Sequence, residues 1–306
     1  MTRSVWPMAC ILFSVLMAAP DPALAEAETC APAAMATLSY EQRADTLDQL
    51  TATPEARRNL VMDLVPCLEN PDPKVRDGFA FETLSDLMRA GRLQPATLAA
   101  LKTVLLARLA DAEGDPNGFR GPFAILTLSE IARTDRLSTW MTGDERSELI
   151  AAAHAYLATL TDYRGFNDTE GWRHGVAHAA DLLMQLSINP ELTKPQAEAI
   201  LDAIALKVAP ADHAYVFGES GRLAAPVIYL AQKEMLTREE WSDWLGSLWP
   251  VEDPLWRDVY GSEAALTKLH NLRAFADEVY ISAVVSNEPA YDPLAGPAFA
   301  LMSTLP

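Results

Sequence analysis

Apolar residues along this chain recur three and four positions apart through stretches of 15 to 20 residues, whereas alternating, strand-like patterns are almost absent. In "PKVRDGFAFETLSDLMRAG", Val75, Phe79, Leu84, Leu87 and Met88 fall on one side of a helix, and Gly91 is a natural stop. "TLAALKTVLLARLADAEG" repeats the form, with Pro95 near its start and Gly114 at its end. The same spacing predicts helices near 39–51, 54–68, 119–134, 143–161, 169–188, 193–208, 219–234, 237–249 and 261–284. The breaks between them are short and rich in Pro, Gly, Asp and Asn, as in "ENPDP", "EGDPNG" and "INPELTKP".

Short links between long amphipathic helices favour antiparallel neighbours. A series of such pairs predicts an all-α chain, either an irregular HEAT-like α-solenoid or another array of antiparallel helix pairs. No strict repeat is visible, so any repeat is degenerate, and a closed bundle or toroid is the alternative. Nothing between residues 26 and 306 has the composition of an interdomain linker, which predicts one helical domain. From about Ser286, "SNEPAYDPLAGPAFALMSTLP" carries four prolines and predicts a tail wrapped over the surface before a short final helix.

The first residues, "MTRSVWPMACILFSVLMAAPDPALAEAE", follow another pattern: basic Arg3, an apolar run from Val5 to Ala19, then Ala23-Leu24-Ala25. This is the form of a cleavable secretory signal over residues 1–25, and the run is short for a membrane span. The expectation is an exported mature chain, periplasmic or secreted, with no membrane insertion. Cleavage would remove Cys10 and leave Cys30 and Cys67 in an oxidising compartment, with one intramolecular pairing open to them. That disulfide would tie the mature N-terminus to an early helix.

With 50% hydrophobic residues the chain can bury a sizeable core. Its 42 acidic against 24 basic residues, net -18, oppose binding to phosphate backbones and anionic lipid, so nucleic acid is not an expected partner.

Candidate chemistry concentrates in "GWRHGVAHAAD". At about 100° per residue on a helix, His174, His178 and Asp181 fall within an arc of about 60° and can meet one point. Two imidazoles and a carboxylate suit a divalent metal such as zinc, although the glutamate beside the first histidine that marks zinc-protease helices is missing. The same groups suit acid/base work, or plain hydrogen bonding in a core helix on which Trp172, Val176, Leu182 and Leu183 pack. No cofactor is required by any motif. Upstream, Asp168 or Thr169 could cap this helix, and Asp162 and Arg164 could pair locally or grip an anionic ligand. In "KVRDGFAF", Arg76 and Asp77 are adjacent and would not face each other on an α-helix, which predicts separate partners. Glu219 and Arg222 are three apart and can pair on one face or reach the histidine helix. Trp241, Trp244 and Trp249 lie on or near one helix and read as packing. Phosphate-loop, nucleophile-elbow and dinucleotide-binding patterns are missing.

At "DPKVRDGFAFETL", "DYRGFNDTEGWRHGVAHAADLL" and "GESGRLAAPV", the chain resembles the bacterial family known as domain of unknown function 2785, over about residues 72–245. The resemblance implies an all-helical, HEAT-like fold and implies no activity. At "FRGPFAIL" the chain departs from that family's pattern, so Arg120 matches it less closely than the other residues do. Because helical arrays expose extended surfaces and no complete catalytic motif is present, the expected function is binding or scaffolding of a protein or peptide partner in the cell envelope. The alternative is a metal-assisted or acid/base hydrolase using His174, His178 and Asp181, with Arg76, Arg164 or Arg222 holding an anionic group.

Overall fold

The computed structural model describes residues 30–306 apart from Val251, with the backbone alone for Ala31 and Tyr40. The expected signal over residues 1–25, with Cys10, lies outside the described residues. After a 3-10 turn at Ala31–Thr37, the chain forms α1 (Tyr40–Leu50), α2 (Pro54–Leu64), α3 (Pro73–Val75), α4 (Glu82–Arg89), α5 (Pro95–Ala110), α6 (Arg120–Leu137) and α7 (Gly143–Thr159). It continues through α8 (Gly175–Ile188), α9 (Lys194–Val208), α10 (Glu219–Gln232), α11 (Arg238–Ser247), α12 (Pro254–Arg257), α13 (Glu263–Val285) and α14 (Asp292–Thr304). A π-helical turn, Arg76–Phe81, joins α3 to α4 without a break.

Local chemistry explains where these helices start. Pro54, Pro73 and Pro95 occupy the first turn, where a missing N–H costs nothing. Ser39, Thr142, Thr193 and Thr237 form capping boxes with Gln42, Glu145, Gln196 and Glu240, each worth about 1 kcal/mol.

The fold is all-α, built as two rows of alternating helices. One row stacks α4 on α6, α6 on α8, α8 on α10 and α10 on α13; the other stacks α5 on α7 and α7 on α9. One connected hydrophobic core runs from Leu60 to Leu305. Between α6 and α10, α8 is buried almost all round from Gly175 to Ala180, as its run of small and apolar residues requires.

Cys30 and Cys67 are disulfide-bonded, linking the first described residue to the turn after α2. Trp241 is buried edge-on to Trp244, and Trp249 packs on Trp256 at 4.0 Å, so these rings are packing.

Two expectations change. The tail does not simply wrap the surface: α14 buries Leu294, Pro297, Ala298 and Leu301 against α11 and α13. The helix expected from residue 169 begins at Gly175, because the preceding residues form a hairpin of β1 (Phe166–Asn167) and β2 (Gly171–Trp172). Asn167 Oδ1 accepts from the amides of Thr169 and Glu170 and closes the turn, so Asp168 and Thr169 sit at its tip instead of capping α8.

Candidate functional site

The hairpin meets the loop before α6 and the loop before α10, and nearly every residue singled out from sequence lies where they join. Its ladder continues past β2: Arg173 N donates to Gly165 O and His174 N to Arg164 O, both at 3.0 Å. His174 then adopts φ 57° and ψ 40°, a left-handed conformation in which the chain turns from strand into helix. For a residue with a Cβ this costs about 1 kcal/mol or more, and it sets the imidazole apart from the face that ideal helix geometry predicts.

The His174 ring stacks on Trp172, with centroids 4.8 Å apart and planes 24° from parallel. Its Nε2 is buried without a hydrogen-bond partner, 3.6 Å from Glu219 Oε1. Burial alone would push the Glu219 carboxyl up. The His174 ring and the amides of Glu219 and Phe217 outweigh it and hold the group below the usual range. Glu219 Oε2 accepts from Phe217 N at 2.9 Å, so one carboxylate orders both the histidine and the loop carrying Phe217.

His178 lies one turn into α8 and contacts the Pro122 carbonyl through Nδ1 at 3.1 Å. A carbonyl only accepts, so Nδ1 carries the proton and Nε2 the lone pair. Burial, reinforced by the nearby His174, lowers its pKa to about 3. The ring is neutral at any physiological pH, well away from the value that suits a general base. Rings form a ladder from surface to core: Phe166 to Trp172 (5.0 Å), Trp172 to His174, His174 to His178 (5.9 Å), His178 to Phe123 (5.6 Å) and Phe123 to Phe81 (6.4 Å).

Asp181 does not join the two imidazoles. Its carboxylate is held by Arg222 across the α8–α10 contact; burial raises its pKa and Arg222 opposes the rise. Glu219 and Arg222 therefore do not pair with each other: each reaches α8 or its N-cap, and Glu219 supplies the carboxylate facing His174. Among the described residues no three His, Cys, Asp or Glu side chains are grouped as a metal ion requires.

Arg76 and Asp77 contradict the expectation of separate partners. Arg76 Nε donates to Asp77 Oδ1 at 2.8 Å and Nη2 to Oδ2 at 3.2 Å. Both residues lie in the π-helical turn, whose wider winding departs from the 100° spacing that separates neighbours on an α-helix. The remaining Arg76 donors reach the carbonyls of Asn70, Pro71 and Glu170, which pins the hairpin turn to the start of this helix. Arg173 donates to Asn117 O and Glu170, and its guanidinium lies 4.1 Å from the Phe119 ring centroid, with that of Arg76 at 3.9 Å. Asp162 and Arg164 pair locally, Nε to Oδ1 at 2.8 Å, and Arg164 also reaches Asn117 O. Arg120 turns away from the site to Glu69 and Asp111.

Sequence reasoning missed Phe166, Arg173 and Phe217. Phe217 is placed by Gly165: a Cβ there would sit 2.1 Å from the Phe217 ring, so the ring rests on bare backbone. The glycines of "DYRGFNDTEGW" were the available signal of close approach.

A family model described as "Protein of unknown function (DUF2785)" matches residues 105–281, more than half of the chain. The chain belongs to this family. The matched span holds the hairpin, α8 and α10, while Arg76 and Asp77 precede it and fold back onto it. No curated protein and no solved structure matches the chain.

Proposed function

We propose that this chain is a binding module that takes a protein or peptide partner on the hairpin end of its helix rows. The observation that carries the reading is an exposed apolar cluster above a buried, largely hydrogen-bonded polar layer. Phe166, Trp172, Val216 and Phe217 are 45%, 39%, 70% and 37% exposed, and Trp172 contacts both phenylalanines. Clustered exposed aromatics mark contact surfaces, and Trp is the residue type most enriched among their strongest contributors. Beneath them Arg76, Arg173, His174, His178 and Glu219 are buried and largely hydrogen-bonded, which supports a preorganised surface.

Location in the periplasm or outside the cell is part of the proposal. It rests on the secretory pattern of residues 1–25 and agrees with the Cys30–Cys67 disulfide. No helix among the described residues is long and apolar enough to cross a membrane.

The test is capture from a cell-envelope extract by the wild type and by a Trp172→Ala/Phe217→Ala double variant of matched melting temperature. Partners retained by the wild type and lost by the variant support the reading; identical capture overturns it.

A second reading, an acid/base hydrolase of the envelope, is favoured by the unpartnered His174 Nε2 facing Glu219. A metal-assisted form would add a divalent ion such as zinc at His174 and His178. Hydrolytic activity abolished by both His174→Ala and Glu219→Gln, with elemental analysis alongside, would favour it over binding alone.

A further inference from the structure

The rings of Phe166, Trp172 and Phe217 are carried by two loops rich in acidic residues. The two loops that carry them, residues 160–174 and 209–219, contain Asp162, Asp168, Glu170, Asp212 and Glu219 against Arg164 and Arg173. The cations on and beside these loops are engaged. Arg164 is paired with Asp162, Arg173 with Glu170 and Arg222 with Asp181, while Lys207 donates to the Leu160 carbonyl and the Tyr163 hydroxyl. Asp168, at the hairpin tip, and Asp212, five residues before Phe217, are exposed and in no ion pair among the described residues. The chain as a whole carries -18.

Aromatic faces bear the negative end of the ring quadrupole and attract a guanidinium or ammonium within about 6 Å of the centroid. The protein uses this chemistry in its own interior, with Arg76 and Arg173 over Phe119 and Lys207 over Tyr163. Among the described residues no cation lies over Phe166, Trp172 or Phe217, and the charged side chains left out of ion pairs on the two loops that carry these rings, Asp168 and Asp212, are negative, with Lys207 feeling the charge of Asp212. Resting on the binding reading above, we infer that the segment seated here is basic, laying an Arg or Lys side chain against Trp172, Phe166 or Phe217 with Asp168 and Asp212 at the rim. An acidic segment would add repulsion to these carboxylates. A neutral apolar segment would bury the rings without using the charges.

Three short fluorescent peptides alternating Leu with Arg, Gln or Glu test this by anisotropy on the mature chain, at about 150 mM salt so that diffuse attraction to the acidic surface is screened. The Arg peptide is expected to bind at least about tenfold tighter than the Gln peptide, and to lose about tenfold in Trp172→Ala/Phe217→Ala. Asp168→Asn/Asp212→Asn is expected to weaken it about threefold and flatten its salt dependence. Equal binding of the Gln peptide, equally sensitive to the aromatic variant, would overturn the basic partner and leave the surface standing. If the aromatic variant changes the affinity of none of the three, the basic partner is overturned and the surface itself loses its support.

Discussion

Arg76 and Asp77 are neighbours in the chain and hydrogen-bond each other side by side, Nε to Oδ1 at 2.8 Å, within a π-helical turn. The guanidinium is fully buried, and its remaining donors go to three backbone carbonyls, one of them in the hairpin 94 residues away. A lysine would keep the charge but not the planar fork or the stacking on Phe119. Arg76→Lys is therefore expected to cost about 2–4 kcal/mol in urea unfolding. A loss under about 0.5 kcal/mol, typical of surface sites, would mean the fork does not hold the hairpin.

His178 makes stability depend on pH. Its pKa in the folded protein is about 3, against 6.5 for the ordinary side chain, so between these values the unfolded chain binds more protons. The contribution is complete above about pH 6.5 and is lost progressively as pH falls towards 3, with a limiting slope of about 1.4 kcal/mol per pH unit. His178→Asn, which can keep a donor to Pro122 O but cannot titrate, is expected to flatten this slope. Urea unfolding at a series of pH values compares the two. An unchanged slope between pH 6 and 4 would place the titration elsewhere.

Gly165 lies under Phe217, and its φ is not in the left-handed region, so the constraint there is space. Gly165→Ala is expected to displace the ring and cost about 1–3 kcal/mol, the range for overpacking. A Phe217→Ala background should remove most of that cost, which a double-mutant cycle in urea measures. Full additivity would deny the contact.

The Cys30–Cys67 bond joins residues 37 positions apart, and Cys67 is fully buried. Chain entropy assigns the loop so closed about 4 kcal/mol, with measured effects commonly 2–4 kcal/mol. Cys30→Ala/Cys67→Ala is expected to fall in that range, and a reducing agent should lower the wild-type unfolding midpoint while leaving the variant unmoved. Equal midpoints for all samples would show that the bond does not restrain the unfolded chain.

Helical class, most helix positions and most of the polar residues at the hairpin end, though not Arg173, were legible in one dimension. Apolar spacing, proline at first turns and Ser/Thr capping boxes act within a few residues, so they need no knowledge of the rest of the chain. The pairing of Cys30 with Cys67 was legible because, with Cys10 in the expected signal, one combination remained. Which polar groups would meet was decided only by the packing of helices. Asp181 lies close to the ideal face of the two histidines, yet α10 brings Arg222 to it and Glu219 to His174. Arg76 and Asp77 meet because a π-helical turn replaces α-helical winding. The two-residue strands are too short to show alternation, and the left-handed turn at His174 moves that ring off the predicted arc. Charge partners and the exposed aromatic surface depend on how separate helices and loops are placed, a long-range property that local periodicity does not encode.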